Sequence, residues 1–142
     1  MVINRKGIIP KAVLSFIKDM ASERDSSYLT LVPVFPKSSN FRDYGECIKH
    51  SPYDYAIFLY LPAAWFSTSV YLERRGHREN GCDYKSSLSI NVKMDEYWVL
   101  IFAHEFYHYL HFTKQLRGKD MERGAWRFAL KELKLYRDYY QN

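Results

Sequence analysis

The chain is poor in residues that crosslink or punctuate a fold. Of its 142 residues two are cysteine, Cys47 and Cys82, 35 positions apart and with no CxxC pair. That excludes a cysteine-rich metal site and a disulfide-dense scaffold, and two free buried thiols are expected rather than one bridge. Six glycines and five prolines leave no tract that reads as a linker or a disordered arm. Long hydrophobic runs are missing too. The longest, 55–66 (interrupted by Pro62) and 97–103, fall well short of the ~20 apolar residues that span a bilayer. The opening "MVINRKGIIPKAV" has no continuous apolar stretch followed by a cleavage site. A soluble, unsecreted, cytoplasmic protein without a membrane partner is the expectation.

Charge is not concentrated either. The net +5 and pI near 9.1 would admit nucleic acid or another acidic partner. Lys and Arg are scattered, however, and Arg74-Arg75 and Lys114 to Lys119 read as solvated turns, so no cluster demands such a partner. The chain is rich in aromatic residues, at 18%, with thirteen tyrosines and nine phenylalanines. With 47% apolar residues and no internal repeat, residues 1–142 read as a single domain with one core.

Periodicity assigns the elements. "PKAVLSFIKDMA", Pro10 to Ala21, places Val13, Leu14, Ile17 and Met20 near one side at helical spacing, with Phe16 less central, and Pro10 suits a first turn. Tyr28 to Phe35 reads as a strand, short or at an edge because of Pro33. Residues 36–52 form a turn-rich connection without a period. Tyr55 to Leu61 reads as a buried strand, and Trp65 to Glu73 and Leu88 to Lys93 as two more, joined by a loop whose Asn80-Gly81 marks the reversal. After Met94 the pattern turns helical, with Asp95 as N-cap and a run to at least Phe112. Gly118 and Asp120 mark a stop and a restart. Met121 to Tyr140 then carries Ala125, Phe128, Ala129, Leu130, Leu133 and Tyr136 at helical spacing. The expected class is α+β: an N-terminal helix, a small and mostly antiparallel sheet of three to four strands, and two closing helices.

The polar surprise lies in "LIFAHEFYHYLHF", Leu100 to Phe112. At about 100° per residue, His104 and His108 lie roughly 40° apart and one turn along, so their imidazoles can meet at one ion. Glu105 sits on the neighbouring flank, within reach of a water held there. This is HExxH. Zinc held by two neutral imidazoles and a third ligand keeps a position for water and lowers its pKa toward neutrality. Glu105 then acts as the catalytic base, taking the water proton and returning it to the leaving amine. A chance HExxH is expected in roughly one such chain in a hundred, so context has to decide. Leu100, Ile101, Phe102, Ala103, Phe106 and Leu110 make the helix apolar nearly all round, and burying two histidines and a carboxylate there without partners is costly.

His111 shares the face of His104 but lies two turns on, roughly 10 Å by helix rise, and cannot bind the same ion in a regular helix. The longer metzincin pattern is absent, since His111 and Lys114 stand where it needs Gly and His. No histidine follows His111, which leaves Asp120, Glu122, Glu132 and Asp138 as downstream carboxylates. Glu122 is the strongest, opening "ERGAWRFALKEL", whose small Ala125 and Ala129 permit close helix approach. The connection is tight. A first helix running straight to Arg117 would descend roughly 13 Å below His108, leaving too few residues to climb back, so the helix must end near Phe112 or Thr113, or bend sharply.

"SINVKMDEYWVLIFAHEFYHYLHF" followed by "ERGAWRFALKEL" resembles the ImmA/IrrE-type metallopeptidases and minimal gluzincins of similar length. Glu122, Ala125, Phe128 and Ala129 match that family's downstream E-x-x-A-x-x-F-A segment. The resemblance covers residues 86–134; residues 1–85 carry no matching motif. It implies a zincin-like domain with His104, His108 and Glu122 as zinc ligands, Glu105 as the catalytic base, and peptide bonds of an intracellular protein or peptide as substrate. Phe106-Tyr107 replace the usual smaller residues inside HExxH, and no helix-turn-helix segment is evident. In such enzymes a peptide can pair with a sheet edge, for which Leu88 to Val92 is the candidate. An oxyanion-stabilising side chain is expected near the metal, with His77, Tyr136 and Tyr139 as candidates. Two other readings remain: a metal-binding regulatory or interaction module without turnover, and a SprT-like DNA-associated protease, whose usual downstream histidine is absent here.

Overall fold

The computed structural model describes residues 1–34, 44–61, 67–77 and 83–140. The elements run β1 (Val2–Ile3), a 3₁₀ turn (Lys6–Ile8), α1 (Lys11–Ser22), β2 (Leu29–Val34), β3 (Gly45–Ser51), β4 (Asp54–Tyr60), β5 (Ser67–His77), β6 (Asp83–Lys93), α2 (Met94–Phe112) and α3 (Glu122–Tyr140). The class is α+β.

α1 starts one residue after Pro10 and buries Val13, Ile17, Met20 and Ala21, the face that the spacing marked. It returns the chain so that β1 and β2 pair in parallel, Val2 opposite Thr30 and Ile3 opposite Leu31. β2 also pairs in parallel with β4, and β3 pairs antiparallel with β4, giving the order β1-β2-β4-β3. The sheet is therefore mixed rather than mostly antiparallel. The α1 crossover allows β1 and β2 to be parallel, and β2 and β4 are parallel because the chain passes through the edge strand β3 before it enters β4. β5 and β6 form a separate antiparallel pair, from Ser67 opposite Lys93 to His77 opposite Asp83. Both run further into the sequence read as a loop than expected; Asn80-Gly81, with Cys82, lies outside the described residues.

Pro33 fits its strand for a local reason. The Leu31 carbonyl accepts from the Asn4 amide, so residues 31 and 33 turn their backbone polar groups toward β1. β1 pairs only at Thr30 and Leu31. The amide that Pro33 lacks thus falls beyond the end of its neighbour, where no ladder bond is lost.

β3 is the element that the sequence hid. It falls inside the stretch read as turns, and its exposure does not alternate. Among the described residues its one strand neighbour is β4, so half of its environment is a cleft rather than a core.

α2 is the centre of the molecule, buried continuously from Glu96 to Phe106. A helix that is apolar all round demands cover on every side, and α1, α3, β3 and β4 supply it. It begins at Met94, earlier than the expected Asp95 cap. The Glu96 carboxylate accepts from the Lys93 amide at 2.8 Å and so caps the first turn with a side chain from inside it. α2 ends at Phe112, as the return to Glu122 requires. Lys114 adopts φ +59° and the Gln115 amide reaches back to the Leu110 carbonyl at 2.8 Å, closing the helix in a left-handed turn. Gln115 Nε2 then donates to the Asp25 carbonyl at 2.7 Å, tying that turn to the loop after α1.

α3 runs back along α2. Ala125, Trp126, Ala129, Leu133 and Tyr136 are buried, while Phe128 and Leu130 are half-buried. Its far end is clipped to the start of α2: Tyr136 donates to Asp95 at 2.8 Å and Arg137 pairs with the buried Glu96. No helix among the described residues is long and apolar enough to cross a membrane.

Candidate metal centre

α2 turns His104, Glu105 and His108 toward the start of α3 because its other sides are taken by apolar packing. His104 is 5% and Glu105 6% exposed. Across from them, the early end of α2 and the antiparallel return deliver Glu122 at the first residue of α3. The Nε2 atoms of His104 and His108 lie 3.4 Å apart. Glu122 Oε2 is 3.2 Å from His104 Nε2, and its Oε1 is 2.9 Å from His108 Nε2. One ligand atom from each of the three residues lies within 4.8 Å of the others. Glu105 Oε1 is 3.7 Å from His104 Nε2, beside the group rather than part of it.

Asp120 has a different role from the one the sequence offered it. Its Oδ1 lies 2.6 Å from His108 Nδ1. A carboxylate there accepts a hydrogen bond from Nδ1–H and leaves the Nε2 lone pair turned to the shared point, the usual arrangement behind a metal-bound histidine. His104 has no such support among the described residues: its Nδ1 is buried with no partner there, and its ring packs on Trp126 with centroids 3.9 Å apart.

The electrostatics follow from this crowding. Burial holds the His104 pKa below its ordinary value, against the pull of Glu122. Burial also disfavours a charged His108, but hydrogen bonds to Glu122 and Asp120 outweigh it and push its pKa up to about 9. Hydrogen bonds from both imidazoles hold Glu122 well below the usual carboxylate range. Cys47 is pushed the other way: burial, then the charges of Glu105 and Asp120, keep it a neutral thiol. Two imidazole nitrogens and an ionised carboxylate facing one point, with an uncharged thiol nearby, form a donor set suited to a divalent cation with nitrogen and oxygen preference. The residues fit zinc.

A cleft of about 300 Å³ opens over this group, lined by Gly45, Glu46, Cys47, Glu105, His108 and Glu122 among others. The strand beside it is β3. Gly45 is required there, since a Cβ would stand 2.7 Å from Ile101 Cγ2 and 3.1 Å from Glu105 Cγ. Leu88 to Val92, the strand expected to border the cleft, instead leads through Lys93 into the start of α2. Lys93 lies eleven residues, roughly 16 Å of helix, before His104. Residues 89–92 are not in the cleft lining, and the Leu88 side chain lies outside the described residues.

The other candidates fall away from the group. The His111 ring packs on Tyr107, centroids 4.6 Å apart. Glu132 and Asp138 lie roughly 15 and 24 Å along α3 from Glu122, and Tyr136 and Tyr139 more than 20 Å, which removes both tyrosines as oxyanion donors. The His77 side chain lies outside the described residues. Sequence reasoning misses Gly45 and Cys47, because β3 has no periodic signal, and Trp126, to which it assigns no role. It offers Asp120 as a ligand candidate only. Comparisons with protein-family models, curated proteins and solved structures return no match.

Proposed function

We propose that this chain is a zinc metallopeptidase of gluzincin type, with a zincin-like arrangement of the ImmA/IrrE kind, that hydrolyses peptide bonds in an intracellular protein or peptide. The observation that carries this reading is the convergence of His104 Nε2, His108 Nε2 and the Glu122 carboxylate beside a buried Glu105, at the floor of an open cleft. Zinc at such a site supplies a Lewis acid and lowers the pKa of water. The chain's own residues do the rest. His104, His108 and Glu122 hold the ion, and Asp120 keeps His108 in the tautomer that can ligate. Glu105 takes the proton from attacking water and passes it to the leaving amine. β3 offers main-chain groups along the cleft with which an extended peptide can pair.

Glu105→Gln is expected to retain one zinc per chain and to lose peptide turnover by several orders of magnitude, read by metal analysis beside digestion of a peptide library. Full turnover in that variant would sink the mechanism. His104→Ala is expected to lose the metal. Wild-type protein that binds zinc stoichiometrically yet cuts nothing would instead support a regulatory or interaction module.

A DNA-associated protease is favoured by one observation. Arg123, Arg127, Lys131 and Lys134 are all exposed and fall within about 80° of one another around α3. Duplex binding through these four would weaken with salt at a slope near −4 at most; binding that ignores salt would remove this reading.

A further inference from the structure

A second cavity, of about 350 Å³, opens where the end of α2 meets β3 and the loop after α1. Its lining includes Lys49, Tyr55, Tyr109, Phe112 and Lys114. Phe112 borders this cavity and the metal cleft alike, and β3 contributes to both, through Gly45 to Cys47 on one side and Lys49 on the other. The two spaces therefore lie side by side along one strand.

The chemistry of the second cavity is selective. Tyr55 and Tyr109 are 2% and 0% exposed and their rings meet edge to face at 5.3 Å. The Tyr109 hydroxyl is used, donating to the Asp25 carbonyl at 2.8 Å. The Tyr55 hydroxyl has no hydrogen-bond partner among the described residues, and its residue lines the cavity, so it is a donor that an acceptor in the cavity can use. Lys49 and Lys114 are both exposed and have no ion pair among the described residues. Asp25 also lines the cavity, but its carboxylate already accepts from the Ser27 hydroxyl at 2.6 Å and amide at 3.1 Å. A hydroxyl donor, aromatic walls and two ammonium groups against the single negative charge of Asp25 leave a net positive pocket that matches a carboxylate carried on a short apolar stem.

We propose that this cavity is a specificity pocket for an acidic side chain of the peptide substrate, glutamate above all, an inference that rests on the peptidase reading. The carboxylate accepts from the Tyr55 hydroxyl and pairs with Lys49 and Lys114, while the methylenes lie against Tyr109 and Phe112. Cys47 and Lys49 are two residues apart on β3, about 6.6 Å. A peptide extended along that strand would place its acidic residue about two positions from the bond over the metal cleft. The pairing of β3 with β4 shifts register between Lys49 and Ser51, so the regular strand surface ends at the pocket.

The test uses fluorescein-labelled heptapeptides with glutamate, glutamine, lysine or phenylalanine placed about two residues from the centre, on either side. Each is titrated into the full chain carrying Glu105→Gln with zinc bound, and each is offered to the wild type for cleavage. The glutamate peptide is expected to bind about tenfold more tightly than its glutamine counterpart, the size of one charge-assisted hydrogen bond. That advantage should disappear in a Lys49→Ser, Lys114→Ser double variant, shrink in Tyr55→Phe, and leave zinc content unchanged in both. Equal binding of the glutamate and glutamine peptides, an advantage that survives loss of both lysines, or no peptide binding at all would overturn the pocket. Acid-selective binding without cleavage by the wild type would leave the pocket standing and remove the peptidase reading, whereas cleavage without acidic preference would do the reverse.

Discussion

His108 carries two carboxylates, Asp120 on Nδ1 at 2.6 Å and Glu122 on Nε2 at 2.9 Å, and the two act differently. Glu122 shares the point at which the imidazoles meet; Asp120 sits behind the ring and decides which nitrogen has a lone pair to give. Asp120→Asn keeps the shape but weakens the acceptor, so zinc affinity is expected to fall about tenfold or more, measured by competition against a chromogenic chelator. Unchanged affinity would remove the orienting role. Gly45 works at the same scale by being small. Gly45→Ala forces β3 away from Ile101 and Glu105, a local overpacking that costs about 1–3 kcal/mol. Lower stability in urea together with reduced turnover is expected, since the contact being relieved includes Glu105, the proposed base.

Among the elements, the antiparallel return of α3 along α2 turns two sequence-distant segments into one site. The turn at Lys114 and the tether of Gln115 to Asp25 set where α3 begins. At the other end, Tyr136 and Asp95, with Arg137 and Glu96, hold the helices in register. Tyr136→Phe removes one buried hydrogen bond and is expected to cost about 1 kcal/mol in chemical denaturation. The zinc stoichiometry should stay the same, because Glu122 is roughly 21 Å away along the helix. Loss of zinc in that variant would mean the clip sets the site's geometry rather than only its stability.

Zinc at the proposed site would couple to the fold of the whole molecule, since His104, His108 and Glu122 come together only when α2 and α3 are packed. Free zinc at 100 times its dissociation constant would add about 2.7 kcal/mol, so chelation is expected to lower the Tm by roughly 8 °C. The tilted contact of Trp126 with His104 provides a second readout: tryptophan fluorescence should change as zinc is titrated into stripped protein. A Tm indifferent to chelator would argue that these side chains hold no ion.

The three helices and the central strands were legible because their apolar periods are local, and the pairing of His104 with His108 was legible because helix geometry alone brings them together. The end of α2 near Phe112 followed from the need to bring Glu122 back. β3 was illegible: an edge strand beside a cleft has neither an alternating face nor a continuous apolar run, so nothing in residues 45–51 announces it. The parallel pairings in the sheet, β1 with β2 and β2 with β4, depend on how the connections cross over, and β1, two residues long, is below any periodic signal. Tertiary structure alone assigned Asp120 to His108, brought Gly45 and Cys47 of β3 to the cleft, and set a second cavity beside the first. The division has one physical cause. Contacts within a helix are set by 3.6-residue geometry and can be counted from the chain, whereas contacts between elements depend on how strands and helices close around a core.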